Sequence, residues 1–196
     1  MGRKGLKVTE KLTLDEQLIL LRLAREAMER GVKSEDLPPL DPSSMPASLR
    51  AEGSSFITLT VRKQLRGCIG SLDPYQSLAE DVREHAAAAA LRDPRFPAVR
   101  EDELTEIQIE ISRLTRPMPL PYQDADDLLS KLRPHVDGII LRTDPHRATF
   151  LPQVWEKISD PAEFLNNLCY KLGLDPDLWR REHLEVLIYQ VEVLHE

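Results

Sequence analysis

The chain has 196 residues, of which 41% are hydrophobic and 30% are charged, and its formal net charge at pH 7 is −7. This composition is typical of a globular protein with a hydrophobic core and excludes a disordered chain. The acidic excess disfavours nonspecific binding to nucleic acid or to anionic membranes. No apolar run approaches the roughly 18 residues that a membrane-spanning helix needs, and the first eleven residues contain no apolar signal core. We therefore expect a cytoplasmic protein with no membrane association and with nucleic acid disfavoured as a partner.

The cysteines and histidines are too few and too scattered to indicate a metal site. Cys68 and Cys169 cannot form a disulfide framework or a four-cysteine zinc site. The five histidines, at positions 85, 135, 146, 183 and 195, include no pair with the spacing of a helical zinc motif. We predict no structural metal, and the sequence identifies no cofactor.

The N-terminal half predicts helices that flank one hairpin. Residues 1–12 are a basic tail, and residues 13–196 form a single domain. Thr13 and Glu16 have the spacing of a capping box, which predicts a helix that ends at Gly31. Residues 32–54, rich in Pro and Ser, predict a long ordered loop. The remaining predicted elements of this half are a hairpin of strands 56–61 and 65–70 with a turn at 62–64, a helix from Ser77 to just before Asp93, and a strand at 107–111.

The C-terminal half predicts a second hairpin. Its elements are a short helix at 124–132, strands 137–141 and 148–151 around Asp144-Pro145, a helix from Asp160-Pro161 to Gly173, and a closing strand at 186–193. Strands that come in hairpins with helices between them predict an α+β fold, with mainly antiparallel sheets built from hairpins and flanked by helices.

The hexapeptide LRGCIG at residues 65–70 is the most distinctive motif of the chain. Further motifs follow it in order: DPRFP at 93–97, IEIS at 109–112, TFLPQVW at 149–155, FLNNLC at 164–169 and YQVE at 189–192. Together they resemble the AMMECR domain family, whose microbial members are also called AmmeMemoRadiSam system protein A. Lys63 departs from the family pattern, because relatives often carry Gly in this turn.

The resemblance implies a larger and a smaller subdomain with a groove between them. It does not imply one activity, because that of the family is not established. An enzyme, a nucleotide- or RNA-binding protein, and a partner of Memo-like and radical SAM proteins have all been suggested for it.

Two interpretations of Arg66 and Cys68 remain open at this stage. The residues are two apart on one strand, so we expect them on the same side. A three-residue turn places them with Thr58 and Thr60, and a two-residue turn places them with Ile57 and Leu59. A guanidinium beside a thiol favours the thiolate and makes Cys68 a candidate nucleophile. Alternatively, Cys68 is a small packed residue between two glycines.

Four further side chains have both a functional and a structural interpretation. Asp93 and Arg95 either bind a ligand, with Arg95 and Arg66 clamping an anion, or form an internal ion pair that anchors a rigid loop. Glu110 is either a general base or a solvated carboxylate on the polar side of its strand. Gln153 either binds a ligand through its amide or belongs to a corner beside a buried Trp155.

The sequence predicts a protein that binds a small anionic metabolite in a groove around the LRGCIG hairpin. Cys68 and Glu110 are the candidate catalytic residues, and Arg66, Asp93, Arg95 and Gln153 are the candidate ligand-binding residues. The protein would act on the metabolite or present it to Memo-like and radical SAM proteins. The alternative is a noncatalytic interaction module or an RNA-binding adaptor.

Overall fold

The computed structural model describes residues 11–144 and 146–196. The first ten residues of the predicted tail, and Pro145 of the predicted turn, lie outside the described residues. The helices are α1 (Leu14–Val32), α2 (Ala47–Arg50), α3 (Leu78–Leu91), α4 (Ala125–Lys131), α5 (Pro161–Lys171) and α6 (Leu178–Arg181). The strands are β1 (Ser54–Val61), β2 (Gln64–Gly70), β3 (Ile107–Leu114), β4 (Met118–Pro119), β5 (Gly138–Thr143), β6 (His146–Phe150), β7 (Glu185–Tyr189) and β8 (Val191–His195).

The chain forms two compact units, each with its own sheet and core. The first unit contains the described residues up to Thr115 together with Glu192–Glu196, and the second contains Arg116–Val191. The sheets have the strand orders β2-β1-β3-β8 and β4-β7-β5-β6. Helices with antiparallel sheets confirm the predicted α+β class. Among the described residues, no helix is long and apolar enough to cross a membrane.

In the first unit, the sheet carries its hydrophobic residues on one face. Ile57, Leu59, Ile109 and Ile111 alternate with polar residues and are almost fully buried against α1 and α3. The capping box predicted at the start of α1 is present, and Ser77 caps α3 by accepting from the backbone N–H of Glu80. The polar residues of the same strands therefore lie on the opposite face of the sheet.

The β1–β2 hairpin has a two-residue turn and a bulge. Arg62 and Lys63 form the turn with φ of 51° and 66°, so Gln64, predicted to be in the turn, begins β2. The register then shifts beside Leu59, and Arg66 is the extra residue of β2. This bulge brings Cys68 opposite Thr58, although the two-residue turn alone would have placed it with Ile57 and Leu59.

The core of the second unit contains both tryptophans, Trp155 and Trp179. The indole of Trp155 stacks on Phe164 with 3.7 Å between ring centroids, and its Nε1 donates to the carbonyl of Asp137 at 2.8 Å. Cys169 is completely buried in the same core, as predicted, and burial raises the pKa of its thiol. Helix α5 begins at Pro161, as predicted, and Asp160 caps it by accepting from the backbone N–H of Glu163. Gly173 follows the end of the helix with a φ of 81°.

Two predicted segments differ from the structure, and one strand was not predicted. Helix α1 continues through Gly31 to Val32, and it is Ser34 that takes the left-handed conformation, with a φ of 58°. The predicted loop at 32–54 contains a 3-10 turn at Pro42–Ser44 and the short helix α2. The unpredicted strand is β4, which follows β3 and includes Pro119; this proline pairs at a sheet edge, where a missing N–H is tolerated.

The segment at 186–193 is extended, as predicted, but it is two strands rather than one. Strand β7 pairs with β5 in the second unit, and β8 joins the sheet of the first unit. Val186 belongs to one core and Leu194 to the other. The apolar pattern of residues 186–193 therefore predicts extended structure correctly, but it does not show that the segment is divided between two sheets.

Replacement of Gly67 by Ala tests the packing of the LRGCIG motif. An added Cβ would lie 2.1 Å from the carbonyl oxygen of Ala89 in α3, and this oxygen belongs to helix backbone. We expect Gly67→Ala to lower the free energy of unfolding by at least about 2 kcal/mol in urea denaturation. Gly31→Ala is the control, because its Cβ would meet only side-chain atoms, the flexible Leu91 at 3.3 Å and Ala87 at 3.5 Å, and because Ala favours helix. Equal effects of the two changes would contradict this packing.

Candidate functional site

A row of polar side chains crosses the open face of the sheet in the first unit. Thr58 of β1 lies opposite Cys68 of β2 on one side and opposite Glu110 of β3 on the other. His195 of β8 extends the row, with its Nδ1 3.5 Å from Oε2 of Glu110. The four strands thus contribute one residue each: Cys68, Thr58, Glu110 and His195.

The row is accessible and internally bonded. The Thr58 hydroxyl donates to Sγ of Cys68 at 3.4 Å, and both residues are half-buried. The side chains of Glu110 and His195 are 31% and 69% exposed. The row therefore presents a thiol, a hydroxyl, a carboxylate and an imidazole to solvent.

The loop after α3 bonds to the backbone of Cys68 at the edge of the sheet. Oδ2 of Asp93 accepts from the N–H of Cys68 at 2.8 Å, and Nη2 of Arg95 donates to the carbonyl of Cys68 at 3.2 Å. An edge strand has unpaired N–H and C=O groups, and these two side chains satisfy them as a neighbouring strand would. We call Asp93 and Arg95 the edge clip.

The edge clip is also an ion pair. Asp93 accepts from the backbone N–H, Nε and Nη2 of Arg95 at 3.0, 2.9 and 2.6 Å. The bonds from Arg95 hold the pKa of the Asp93 carboxyl well below its usual range, with the N–H of Cys68 adding to the effect and burial opposing it. The pKa of Arg95 is raised, mainly by Asp93, and the neighbouring Cys68 side chain adds to the rise.

Arg66 is paired with a different carboxylate. Its Nε and Nη2 donate to the two oxygens of Glu103 at 2.8 and 3.0 Å, and Nη1 donates to the carbonyl of Pro97 at 2.8 Å. This pairing lowers the pKa of Glu103 to about 2, with the backbone N–H of Arg100 contributing and burial opposing. Arg66 therefore holds the 97–103 segment against the hairpin.

The structure brings some of the predicted site residues together and separates others. Cys68 and Glu110 share the polar row, and Asp93 and Arg95 bond to each other, as the structural interpretation of that loop expected. We expected Arg66 beside Cys68, but the bulge interrupts the alternation of β2. The guanidinium that contacts Cys68 is that of Arg95, which donates to its carbonyl.

Gln153 belongs to the second unit, in the 3-10 segment Pro152–Glu156, and Trp155 is fully buried as expected. This residue therefore lies in a different unit from the other five.

Sequence reasoning missed three residues that matter here. Thr58 appeared only in one of the two alternative placements of Cys68, and His195 appeared only among the five scattered histidines. Glu103 was not considered as a partner of Arg66. Alternation along β8 could have placed His195 on a polar face, as alternation along β3 did for Glu110. Nothing local indicates a bond between Arg66 and Glu103, which are 37 residues apart.

The spacing within the row limits its chemistry. Cys68 and Glu110 are separated by one strand, and two strand spacings amount to about 10 Å. Glu110 therefore cannot take a proton directly from Cys68, because a general base must be within hydrogen-bond reach. The two groups can contact opposite ends of one bound molecule. In the part of the chain that the structure describes, no group of three or more His, Cys, Asp or Glu residues is suited to a metal ion.

Comparison with known proteins finds one family and many relatives. The model of the AMMECR1 family matches residues 21–194. A protein of Methanothermobacter thermautotrophicus is 39% identical, with 94% of this chain and 96% of that protein covered. A protein of Thermofilum pendens is 37% identical, with 95% and 92% covered. The crystal structure of an uncharacterized protein from Pyrococcus horikoshii superposes with a TM-score of 0.86 at 32% identity, covering 95% of this chain and 94% of that one.

Replacement of Asp93 by Asn tests the edge clip. A neutral amide cannot accept all four hydrogen bonds, so we expect Asp93→Asn to lower the free energy of unfolding by about 2–4 kcal/mol near neutral pH. The pKa of Asp93 is lower in the folded than in the unfolded state, so its contribution is present above pH ~4 and is lost as the pH falls below that value. The gap between wild type and variant should therefore narrow from about pH 5 to about pH 2 in urea denaturation.

The matched control is Asp126→Asn, which removes one charge at an exposed position. It should change stability little at any pH in this range. A gap between wild type and Asp93→Asn that does not depend on pH would contradict the role of the Asp93 charge.

Proposed function

The chain belongs to the AMMECR1 family, and on that premise we propose that it binds a small metabolite against the open face of the sheet in its first unit. The observation that supports the proposal is the polar row of Cys68, Thr58, Glu110 and His195. Its side chains come from four strands, and the edge clip fixes the position of Cys68. A site built on strands holds its groups more rigidly than one built on loops.

The metabolite would be elongated and would carry an anionic group at one end. Cys68 and Glu110 are about 10 Å apart across the row, so one molecule of that length would contact both. Among the described residues, Arg95 bonds through Nε and Nη2, which leaves Nη1 to donate to an anionic group. Glu110 would accept a hydrogen bond from the other end.

The row supports either chemistry on the metabolite or its presentation to another protein. In the first case, Cys68 would add to a carbonyl carbon of the metabolite. The C–S bond would form as the carbonyl π bond breaks, the electron pair would go to the carbonyl oxygen, and the thiol proton would pass to water, which would return a proton to that oxygen. In the second case, the metabolite would go to Memo-like and radical SAM proteins, a partnership that rests on the sequence resemblance alone. A cytoplasmic location is in keeping with two cysteines that are both free.

Native mass spectrometry of the protein purified from its own host tests the proposal. We expect an additional mass bound to the wild-type protein, and we expect Glu110→Gln to reduce the bound fraction about tenfold. The melting temperature should stay nearly unchanged, because Glu110 is partly exposed and lies outside the core. Glu29→Gln is the matched control, since Glu29 is also a partly exposed carboxylate of the first unit with a loose partner, Arg25 at 3.9 Å.

Two results would count against the proposal. One is a protein that carries no bound mass even in its native host. The other is a bound mass that Glu110→Gln and Glu29→Gln leave equally unchanged, which would remove the row from the binding site and favour a noncatalytic interaction module.

A further inference from the structure

A second candidate site lies at the tip of the β1–β2 hairpin. A cleft of about 540 Å³ opens there, within the size range of small-molecule sites. Its charged lining residues are Arg62, Arg66, Arg100, Asp102, Glu103 and Glu106. None of the four row residues lines it, so a ligand in this cleft would be separate from the metabolite of the proposed function.

The three arginines of the cleft differ in how firmly they are held. Arg66 is half-buried and bound by Glu103 through two bonds. Arg62 pairs with Glu106 at 2.9 Å and Arg100 pairs with Asp102 at 3.0 Å, but these two arginine side chains are 81% and 72% exposed. Exposed ion pairs contribute little stability, so Arg62 and Arg100 can exchange their carboxylates for a stronger anion.

The turn that carries Arg62 is strained. Arg62 and Lys63 both have positive φ, in a two-residue turn that favours Asn-Gly. Side chains with a Cβ are disfavoured in this conformation, and the chain nevertheless has two cations there. Strained residues collect at ligand-binding sites, where a side chain has a use that offsets its cost. The strain is an observation independent of the cleft, and it concerns the same side chain.

We propose that this cleft binds the phosphate group of a small phosphorylated molecule through Arg62 and Arg100. A phosphate carries up to two negative charges and three acceptor oxygens, so it competes with the single charge of Glu106 or Asp102. Guanidinium groups match its geometry with paired hydrogen bonds. Arg66 keeps Glu103 and forms the fixed wall of the cleft, and Lys63 adds a positive charge at the adjacent turn position.

Titration with pyrophosphate at low ionic strength tests the site. Binding is followed by calorimetry and by shifts of the Arg62 and Arg100 amide resonances. We expect the double variant Arg62→Gln/Arg100→Gln to weaken binding by at least about tenfold. The matched control is Arg142→Gln, because Arg142 is also exposed and paired with a carboxylate, Glu185, at 3.5 Å, but lies in the second unit. It should bind pyrophosphate like the wild type.

The strained turn provides a second variant with opposite effects on stability and binding. Arg62→Asn/Lys63→Gly matches the preference of the turn, so the melting temperature should rise while pyrophosphate binding weakens. Three results would overturn the proposal: no pyrophosphate binding to the wild type, equal weakening by Arg142→Gln, or binding confined to single-stranded RNA with a steep dependence on salt.

Discussion

Strand β2 ends the sheet of the first unit, and the buried carboxylate of Asp93 stands where a further strand would otherwise be needed. An edge strand with unpaired backbone groups is a template for pairing with other chains. Asp93 accepts from the N–H of Cys68, and Arg95 donates to the carbonyl of the same residue. The site on this face depends on that pair, because it holds the backbone of Cys68 in the register that the bulge sets opposite Thr58.

The LRGCIG motif packs against the core with one face of its strand and contributes to the polar row with the other face. Gly67 faces α3, where the carbonyl of Ala89 leaves no room for a Cβ. Cys68 faces the other way, opposite Thr58. Arg66, displaced by the bulge, bonds to Glu103 and lines the cleft at the hairpin tip. Successive residues of one motif therefore support the core, the polar row and a separate cleft.

The sequence allowed much of the fold to be predicted, because the signals were local. The capping box at Thr13, the Asp160-Pro161 start of α5 and the alternation of β3 are all short-range patterns with a physical cause. Counting residues across the hairpin failed at Arg66, since a bulge shifts the register without a distinct sequence signal. The division of residues 186–193 between two sheets could not be predicted either, because an apolar strand has the same pattern in either core.

The sequence predicted single residues of the candidate site but not how they are arranged. Cys68 and Glu110 were chosen separately, and the register across Thr58 is what places them in one row. Arg95, and not Arg66, contacts Cys68 because of the path that residues 93–103 take. That path depends on bonds between residues distant in sequence, so the sequence could not indicate it.

The alkylation of the two cysteines by iodoacetamide in the folded protein tests the central claim, that Cys68 is presented on an open face. Cys169 is an internal control, because it is completely buried in the second unit. We expect Cys68 to be modified in the folded protein under conditions in which Cys169 is not. Modification of both cysteines at one common rate, set by unfolding, would contradict that claim and would leave the LRGCIG motif with a packing role alone.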